Sequence, residues 1–322
     1  MSASVSEKKP RVLVIRGGAV GDFILTLPAI QLLRDHIAGA HIEVLGYAPI
    51  ISLAKAGGLA DEIRSLEHAS MARLFVPNAE IDPALKEYLC SFNLVVSYLY
   101  DPDGYFKGNL ERLGVKTLIE MPHRVEPDKG HAAEQLAQPL QKLAMFLDDP
   151  APRLTVTSSS VRTDGMPLVA VHTGSGSLLK NWPLDRWIVL LNQLLAENER
   201  LRFALIAGEA EHERGMTGQL RQAFACQSQR VLFWDSMTLV ELAAQLSAAT
   251  AFLGHDSGIS HLAAACHIPC LLLFGPTDPD VWAPKNPRVQ ILSAPEGELR
   301  HLTLNQIFEE ASAFLNAVTV KN

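Results

Sequence analysis

Five apolar residues in a row, Cys-Leu-Leu-Leu-Phe at 270–274, constrain this chain more than any other feature. A strand with one face in water alternates apolar and polar residues. A continuous apolar run belongs to a strand buried on both faces, and such strands occur in parallel sheets covered by helices. The run Leu-Val-Ala-Val at 168–171 reads the same way. A doubly covered parallel sheet needs a helix between successive strands, and the chain supplies that alternation along most of its length.

Strands are expected near 11–15, 41–46, 62–66, 93–98 and 115–119, with helices near 22–37, 80–90 and 131–147. A second series places strands near 167–172, 202–207, 230–233, 250–253 and 269–274, and helices near 184–198, 211–225, 238–248 and 257–267. Between them, 148–167 is polar, with prolines and three consecutive serines, the composition of a linker. The reading is therefore α/β, with one βαβ domain over 1–155 and another over 156–322. A chain of 322 residues is long enough for two such cores. The last helical pattern, 304–318, has no strand after it and is expected to brace the first domain.

Composition removes several functional classes. A net charge of −7, with no arginine-rich stripe, argues against general nucleic-acid binding. The four cysteines, Cys90, Cys226, Cys266 and Cys270, form no disulfide-like framework, which fits a reducing cytoplasm. The polar start MSASVSEKKP has no apolar signal region, and no stretch approaches the roughly 20 apolar residues of a spanning helix. Membrane contact, if it occurs, is peripheral.

Three loops carry the chemistry. In 252–284 a strand gives way to Gly254-His255-Asp256-Ser257-Gly258 and then a helix. Unpaired N–H groups and the positive end of the helix dipole suit that turn to phosphate. The alternative is that Asp256 or Ser257 simply caps the helix. The first strand is followed by Arg16-Gly17-Gly18-Ala19-Val20-Gly21-Asp22, whose glycines admit a ligand close to the backbone. Asp22 falls at a helix start on the carboxyl edge of the sheet, where ligands of open α/β sheets bind, or it is an N-cap. The third loop, Thr173-Gly174-Ser175-Gly176-Ser177, is rich in amides and hydroxyls and is followed by Lys180, a set able to hold a diphosphate without metal.

Competing readings fit less well. Gly174-Ser175-Gly176 resembles part of a dinucleotide fingerprint, but Leu179 stands at its third glycine and a Trp-Pro precedes the next helix. Cys266, Cys270 and the nearby histidines lack a second paired motif, so no metal site is expected there. Asp101-Pro-Asp103 and Asp278-Pro-Asp280 imitate a metal-binding DxD but read more simply as turn chemistry.

Together IRGGAVGDFILTLPAI (15–30), HTGSGSLLKNWPLDRW (172–187) and GHDSGISHLAAACHIPCLLLFGPTDPDVWAP (254–284) resemble glycosyltransferase family 9, the heptosyltransferases of the bacterial lipopolysaccharide inner core. The likeness covers nearly the whole chain, and the third stretch is the most discriminating. It implies a GT-B fold, two Rossmann-like domains facing each other across a cleft. It further implies inverting, metal-independent transfer of heptose from ADP-heptose, with no cofactor, to an anionic glycolipid or glycan acceptor. By that resemblance Asp22 answers to the general base, and Thr173, Gly174 and Ser175 to the phosphate loop. Lys180 answers to the lysine on the donor diphosphate, and Asp256, Ser257, Gly258 and His261 to the sugar-diphosphate motif. Glu209 or Glu211 falls where the family contacts adenosine, and Met237-Thr238 where it walls the base.

An anionic acceptor needs positive charge, and His123, Arg124, Lys129 and His131 are the densest basic cluster of the first domain. Gly17, Gly18, Arg124 and His131 are the acceptor-side candidates, with a solvated loop as the alternative. Three positions depart from the family pattern: Gly17-Gly18 stands in place of serines, His255 in place of Asn, and Ile259-Ser260 in place of Pro-Met. Two other activities fit the same scaffold: a non-hydrolysing sugar-nucleotide epimerase, and a catalytically silent sugar-nucleotide binder.

Overall fold

The structure, a computed structural model, describes residues 9–157 and 165–319. The serine run at 158–160 and the first eight residues, both read above from sequence, lie outside the described residues. Contacts divide the chain into two units: one runs to Ala19 and from Thr26 to Pro150, the other comprises Val20–Leu25 and everything from Ala151.

The first unit contains β1 (Arg11–Arg16), α1 (Val20–His36), β2 (His41–Gly46), α2 (Ala48–Ala56), β3 (Glu62–Ser65), α3 (Ala69–Ala72), α4 (Pro83–Cys90), β4 (Leu94–Ser97), α5 (Tyr105–Leu113), β5 (Leu118–Glu120) and α6 (Ala132–Ala137). The opening residues of α1 belong by contact to the second unit. The sheet order is β3-β2-β1-β4-β5, and its pairings are all parallel. Leu13, Ile15, Phe92, Phe106 and Leu110 anchor its core.

The second unit contains β6 (Leu168–His172), α7 (Leu184–Glu197), β7 (Arg202–Ala207), α8 (Glu209–Glu213), α9 (Met216–Ala223), β8 (Val231–Asp235), α10 (Leu239–Ser247), β9 (Ala251–His255), α11 (Gly258–Ala265), β10 (Cys270–Phe274), α12 (Pro279–Trp282), β11 (Val289–Ser293) and α13 (Leu304–Thr319). The order is β11-β10-β9-β6-β7-β8, again parallel throughout. Its central strands β6, β9 and β10 are buried at every residue, whereas the edge strand β11 is buried at none. The continuous apolar runs thus mark the middle of the sheet, as double burial requires.

Both strand orders reverse direction beside the first strand of the unit, at β1/β4 and at β6/β9. In open α/β sheets the crevice outside the carboxyl ends of such a pair is where ligands sit. His172 and Gly254 pair across β6 and β9, so the loops after these two strands leave the sheet side by side.

Several elements differ from the sequence reading. α1 begins at Val20, so Asp22 is the third helical residue of the first turn rather than the residue before the helix. The helix expected over 131–147 stops at Ala137 and tightens into a 3-10 turn over Gln138–Leu143, because Pro139 cannot donate the next helical bond. The helix expected over 211–225 breaks at Gly215, whose φ of +69° only glycine adopts readily. The final helix, expected to brace the first domain, lays Ile307, Ala311, Phe314 and Leu315 into the core of the second unit. There they join Trp187, Leu190 and Leu194 of α7.

Candidate active site

At the end of β9, Gly254 is required by packing. A Cβ there would lie 2.7 Å from the Phe252 ring and 3.2 Å from the His172 carbonyl. The chain then turns into α11, and the choice of cap is settled by geometry: Ser257 Oγ accepts from Ser260 N at 3.3 Å. Asp256 is therefore not committed to the helix. Its Oδ2 accepts from Lys180 Nζ at 2.6 Å and from Thr277 Oγ1 at 2.6 Å, and Oδ1 lies 3.8 Å from His261 Nε2. Only 6% of Asp256 is exposed. Burial alone would raise its pKa, but His261, Lys180 and Thr277 outweigh that and hold the carboxyl far below the usual carboxylate range. His261 is itself buried, and its Nδ1 has no partner among the described residues.

A second chain of polar contacts runs beside the first. His172, the last residue of β6, places Nδ1 3.3 Å from Ser257 Oγ and Nε2 3.6 Å from Glu211 Oε1. Glu211 Oε2 accepts from Gly208 N at 2.8 Å. Against the penalty of burial, the His172 contact and charge and the backbone amides hold the Glu211 carboxyl down to about 2. Glu211 fits only because residue 174 is glycine: a Cβ at Gly174 would meet Glu211 Oε1 at 2.1 Å. Of the two glutamates considered for a nucleoside contact, Glu211 is thus an internal strut, while Glu209 is exposed.

The small-residue loop is built from within. Ser175 Oγ lies 2.7 Å from both Ser177 O and Asn181 Oδ1, and it accepts from Ser177 N at 3.3 Å. The Arg214 guanidinium donates to Ser175 O at 2.7 Å and to Gly176 O at 3.2 Å. Thr173 is buried, with no partner for Oγ1 among the described residues. Met237 is half-buried, and Thr238 beside it caps α10 in a reciprocal box with Glu241.

His255, the departure from the family's Asn, is fully buried. Its Nε2 accepts from Trp182 N at 2.9 Å and from Trp187 Nε1 at 3.1 Å. An imidazole accepting at one nitrogen is neutral with its proton on the other, and burial together with the nearby His172 charge holds its pKa down to about 3. The residue pins the Trp-Pro segment that follows Lys180.

Within this same unit the start of α1 reaches α11. A Cβ on Gly21 would lie 3.4 Å from Gly258 Cα and 3.5 Å from His261 Cδ2, and one on Gly258 would lie 2.9 Å from Gly21 N. Two glycines allow that approach, and Asp22 is the next residue, half-buried.

The acceptor candidates of the first unit are placed differently. Gly18 has a φ of +101°, which favours glycine, whereas Gly17 has room for a side chain. The four residues of the basic cluster have different surroundings. His131 is buried and accepts from Ala133 N at 3.3 Å as the cap of α6. Lys129 pairs with Glu126 at 2.9 Å, and the His123 ring lies 4.5 Å from that of Tyr100. Arg124 is exposed. The four side chains thus differ in burial and in partner.

Both DxD sequences are turn chemistry. Asp101 accepts from the backbone of Phe106 and Lys107, and Asp278 caps α12 through Asp280 N. Cys266 and Cys270 are buried thiols donating to backbone carbonyls, and burial raises both, Cys266 to about 11. The sequence reading missed Thr277 and Arg214. Thr277 follows β10 on the same carboxyl edge as the other site residues, a position that could have flagged it. Arg214 lies five residues beyond a cited glutamate, with no local motif to mark it.

Comparison with known proteins places these residues in context. The profile of glycosyltransferase family 9 (heptosyltransferase) matches residues 123–311. Lipopolysaccharide heptosyltransferase 1 of Escherichia coli O18:K1:H7 is 25% identical over 327 residues, covering 92% of this chain and 95% of that protein. Among solved structures, Escherichia coli heptosyltransferase WaaC with ADP matches with a TM-score of 0.73 and 21% identity, over 94% of this chain and 99% of the other. The same enzyme with ADP-2-deoxy-2-fluoro heptose matches at 0.69. A family 9 glycosyltransferase from Veillonella parvula matches with a TM-score of 0.76 and 16% identity, over 96% and 97% of the two chains. The shared fold is of the GT-B type.

Proposed function

Because the chain belongs to glycosyltransferase family 9, we propose that it moves a heptose from ADP-heptose to a lipopolysaccharide core or related anionic acceptor, with inversion and without a metal. The observation that carries this reading is the Lys180–Asp256–Thr277–His261 cluster at the β6/β9 switch point beside the N-terminus of α11, with Asp256 and His261 buried and Lys180 and Thr277 partly exposed. A departing ADP needs its diphosphate charge met by fixed groups. Lys180, held by Asp256 at one edge, keeps its side chain 30% exposed and turns the rest of its charge toward a ligand. The α11 amides and the loop over 173–177 supply further donors.

Asp22 is the proposed general base. It takes the proton of the acceptor hydroxyl as that oxygen attacks the anomeric carbon, and the bond to the diphosphate breaks on the opposite face. Its support is local: the preceding residue, Gly21, packs on Gly258 of the proposed diphosphate motif. Thr173, Gly174, Ser175, Ser257, Gly258 and His261 line the donor side, Glu209 the nucleoside end, with Met237 near the base. Gly17, Gly18 and Arg124 face the acceptor. His131 acts in this reading only through α6, which it caps.

No described helix is long and apolar enough to cross a membrane. The proposed acceptor is lipid-linked, so the enzyme works in the cytoplasm against the inner membrane face. The test follows ADP-heptose consumption with and without acceptor, in excess EDTA. The proposal expects ADP release only when acceptor is present, and at an undiminished rate. Consumption of donor alone points to an epimerase, no consumption to a silent binder, and loss of activity restored by Mg²⁺ overturns the metal-free route.

A further inference from the structure

Glu211 in α8 and Arg214 just beyond it are three residues apart and so share a helical face. Both grip the loop after β6. Glu211 fills the notch left by Gly174, and the Arg214 guanidinium holds two successive carbonyls, those of Ser175 and Gly176. A planar guanidinium with several fixed donors is suited to such a grip in a way that a single ammonium is not.

The peptide plane makes the consequence specific. The described peptide bonds are trans, and in a trans plane the carbonyl of one residue is antiparallel to the N–H of the next. Drawing Ser175 O and Gly176 O toward Arg214 therefore turns the amides of Gly176 and Ser177 away from it. The Ser177 amide rests on Ser175 Oγ. The Gly176 amide is in an exposed part of the loop, with nothing within 4 Å of where a Cβ would stand. A loop with glycine at 174 and 176 has many conformations to lose on binding an anion. Fixing two consecutive planes beforehand removes part of that loss.

We propose that Arg214 is a positioning residue for the donor: by holding the Ser175 and Gly176 carbonyls it fixes this loop with the Gly176 amide turned outward for the diphosphate, the Ser177 amide being kept by Ser175 Oγ. This rests on the reading of 173–180 as the diphosphate loop. It assigns the segment after β7 a second task besides any nucleoside contact, so that the two ends of the donor are read by loops that are physically tied.

The test uses the full-length protein with ADP and ADP-heptose. Arg214→Ala is expected to weaken ADP binding and raise the donor KM about tenfold, the scale of losing charged hydrogen bonds. The acceptor KM and the melting temperature without ligand stay close to wild type. Millimolar guanidinium restores donor KM in Arg214→Ala, whereas Arg214→Lys recovers little because one ammonium cannot span both carbonyls. A parallel fall in melting temperature and in both KM values would mean a merely structural role. Full recovery in Arg214→Lys would mean direct charge contact with phosphate and overturn the positioning role. Lys180→Ala separates this inference from the reading beneath it. If Lys180→Ala keeps wild-type ADP affinity, the diphosphate assignment fails. If Lys180→Ala loses affinity while Arg214→Ala keeps it, Arg214 alone is wrong.

Discussion

The two sheets carry their switch points on the same topology but furnish them in opposite ways. At β6/β9 the loops are wired to one another: Asp256 to Lys180 and Thr277, Glu211 to His172, His172 to Ser257, Arg214 to two carbonyls. At β1/β4 the loop offers Gly17 and Gly18, with the buried Arg16 guanidinium 5.1 Å from the centre of the Tyr98 ring. Of the basic side chains expected to gather in this unit, His131 is buried as the cap of α6 and Lys129 is paired with Glu126. A ligand with fixed charges, such as a nucleotide diphosphate, rewards a rigid and satisfied site. A bulky glycan is better received by small residues, and its charges by exposed side chains that reorient. On the function proposed above, the contrast would make donor selection preorganised and leave acceptor selection to the surface.

The largest expected effect tests where chemistry stands in this contrast. Asp22→Asn is isosteric, and at the third position of α1 the charge it gives up near the helix start is worth about 0.3–1 kcal/mol. As general base its loss lowers kcat by about 10²–10⁴ while ADP binding persists. Steady-state rates and melting curves on the same preparation decide it. An Asn variant with near-normal turnover removes Asp22 from the mechanism.

Next in size is the pH response of the wired site. The Glu211 carboxyl is depressed from 4.5 to about 2 in the folded protein. A group whose folded pKa is lowered contributes stability above its unfolded value and loses it as pH falls through the folded one. The contribution is of order 3 kcal/mol, lost progressively from about pH 5 to pH 2. Glu211→Gln should flatten that part of the stability curve measured by urea unfolding. A variant as acid-sensitive as wild type would show that the His172 contact contributes little.

The smallest effect belongs to the open edge. Arg124→Ala should raise the acceptor KM about two- to fivefold, the range of one exposed ion pair, with the donor KM unchanged. A tenfold or larger change would show a built acceptor site and erase the contrast between the two edges.

How much of this was readable beforehand follows from what is local. The double-sheet architecture was legible because buried parallel strands write continuous apolar runs, as in LVAV and CLLLF. Lys180 and Asp256 were legible as single residues in recognisable loops, but their mutual contact at 2.6 Å joins positions 76 apart and leaves no local trace. Asp22 was read at the very start of a helix expected from 22, whereas α1 begins at Val20 and puts it one residue beyond the Gly21 that packs on Gly258. The basic cluster was read from nearness in sequence, which carries no sign that His131 is buried as a helix cap. His255 was read only as a departure from the family's Asn, and its purpose emerged with the backbone amide of Trp182 and the indole of Trp187 that converge on it.

That convergence has an optical consequence. The chain's four tryptophans, Trp182, Trp187, Trp234 and Trp282, all belong to the second unit. Trp182 and Trp187 meet edge to face at 5.5 Å and both donate to the same imidazole nitrogen, Trp182 through its backbone. Emission excited at the red edge of indole absorption therefore reports the second unit, and two of its four sources follow Lys180 closely in the chain. On the function proposed above, nucleotide arriving at that segment changes the colour or yield of the light, whereas an acceptor engaging the first unit alone leaves the emission unchanged.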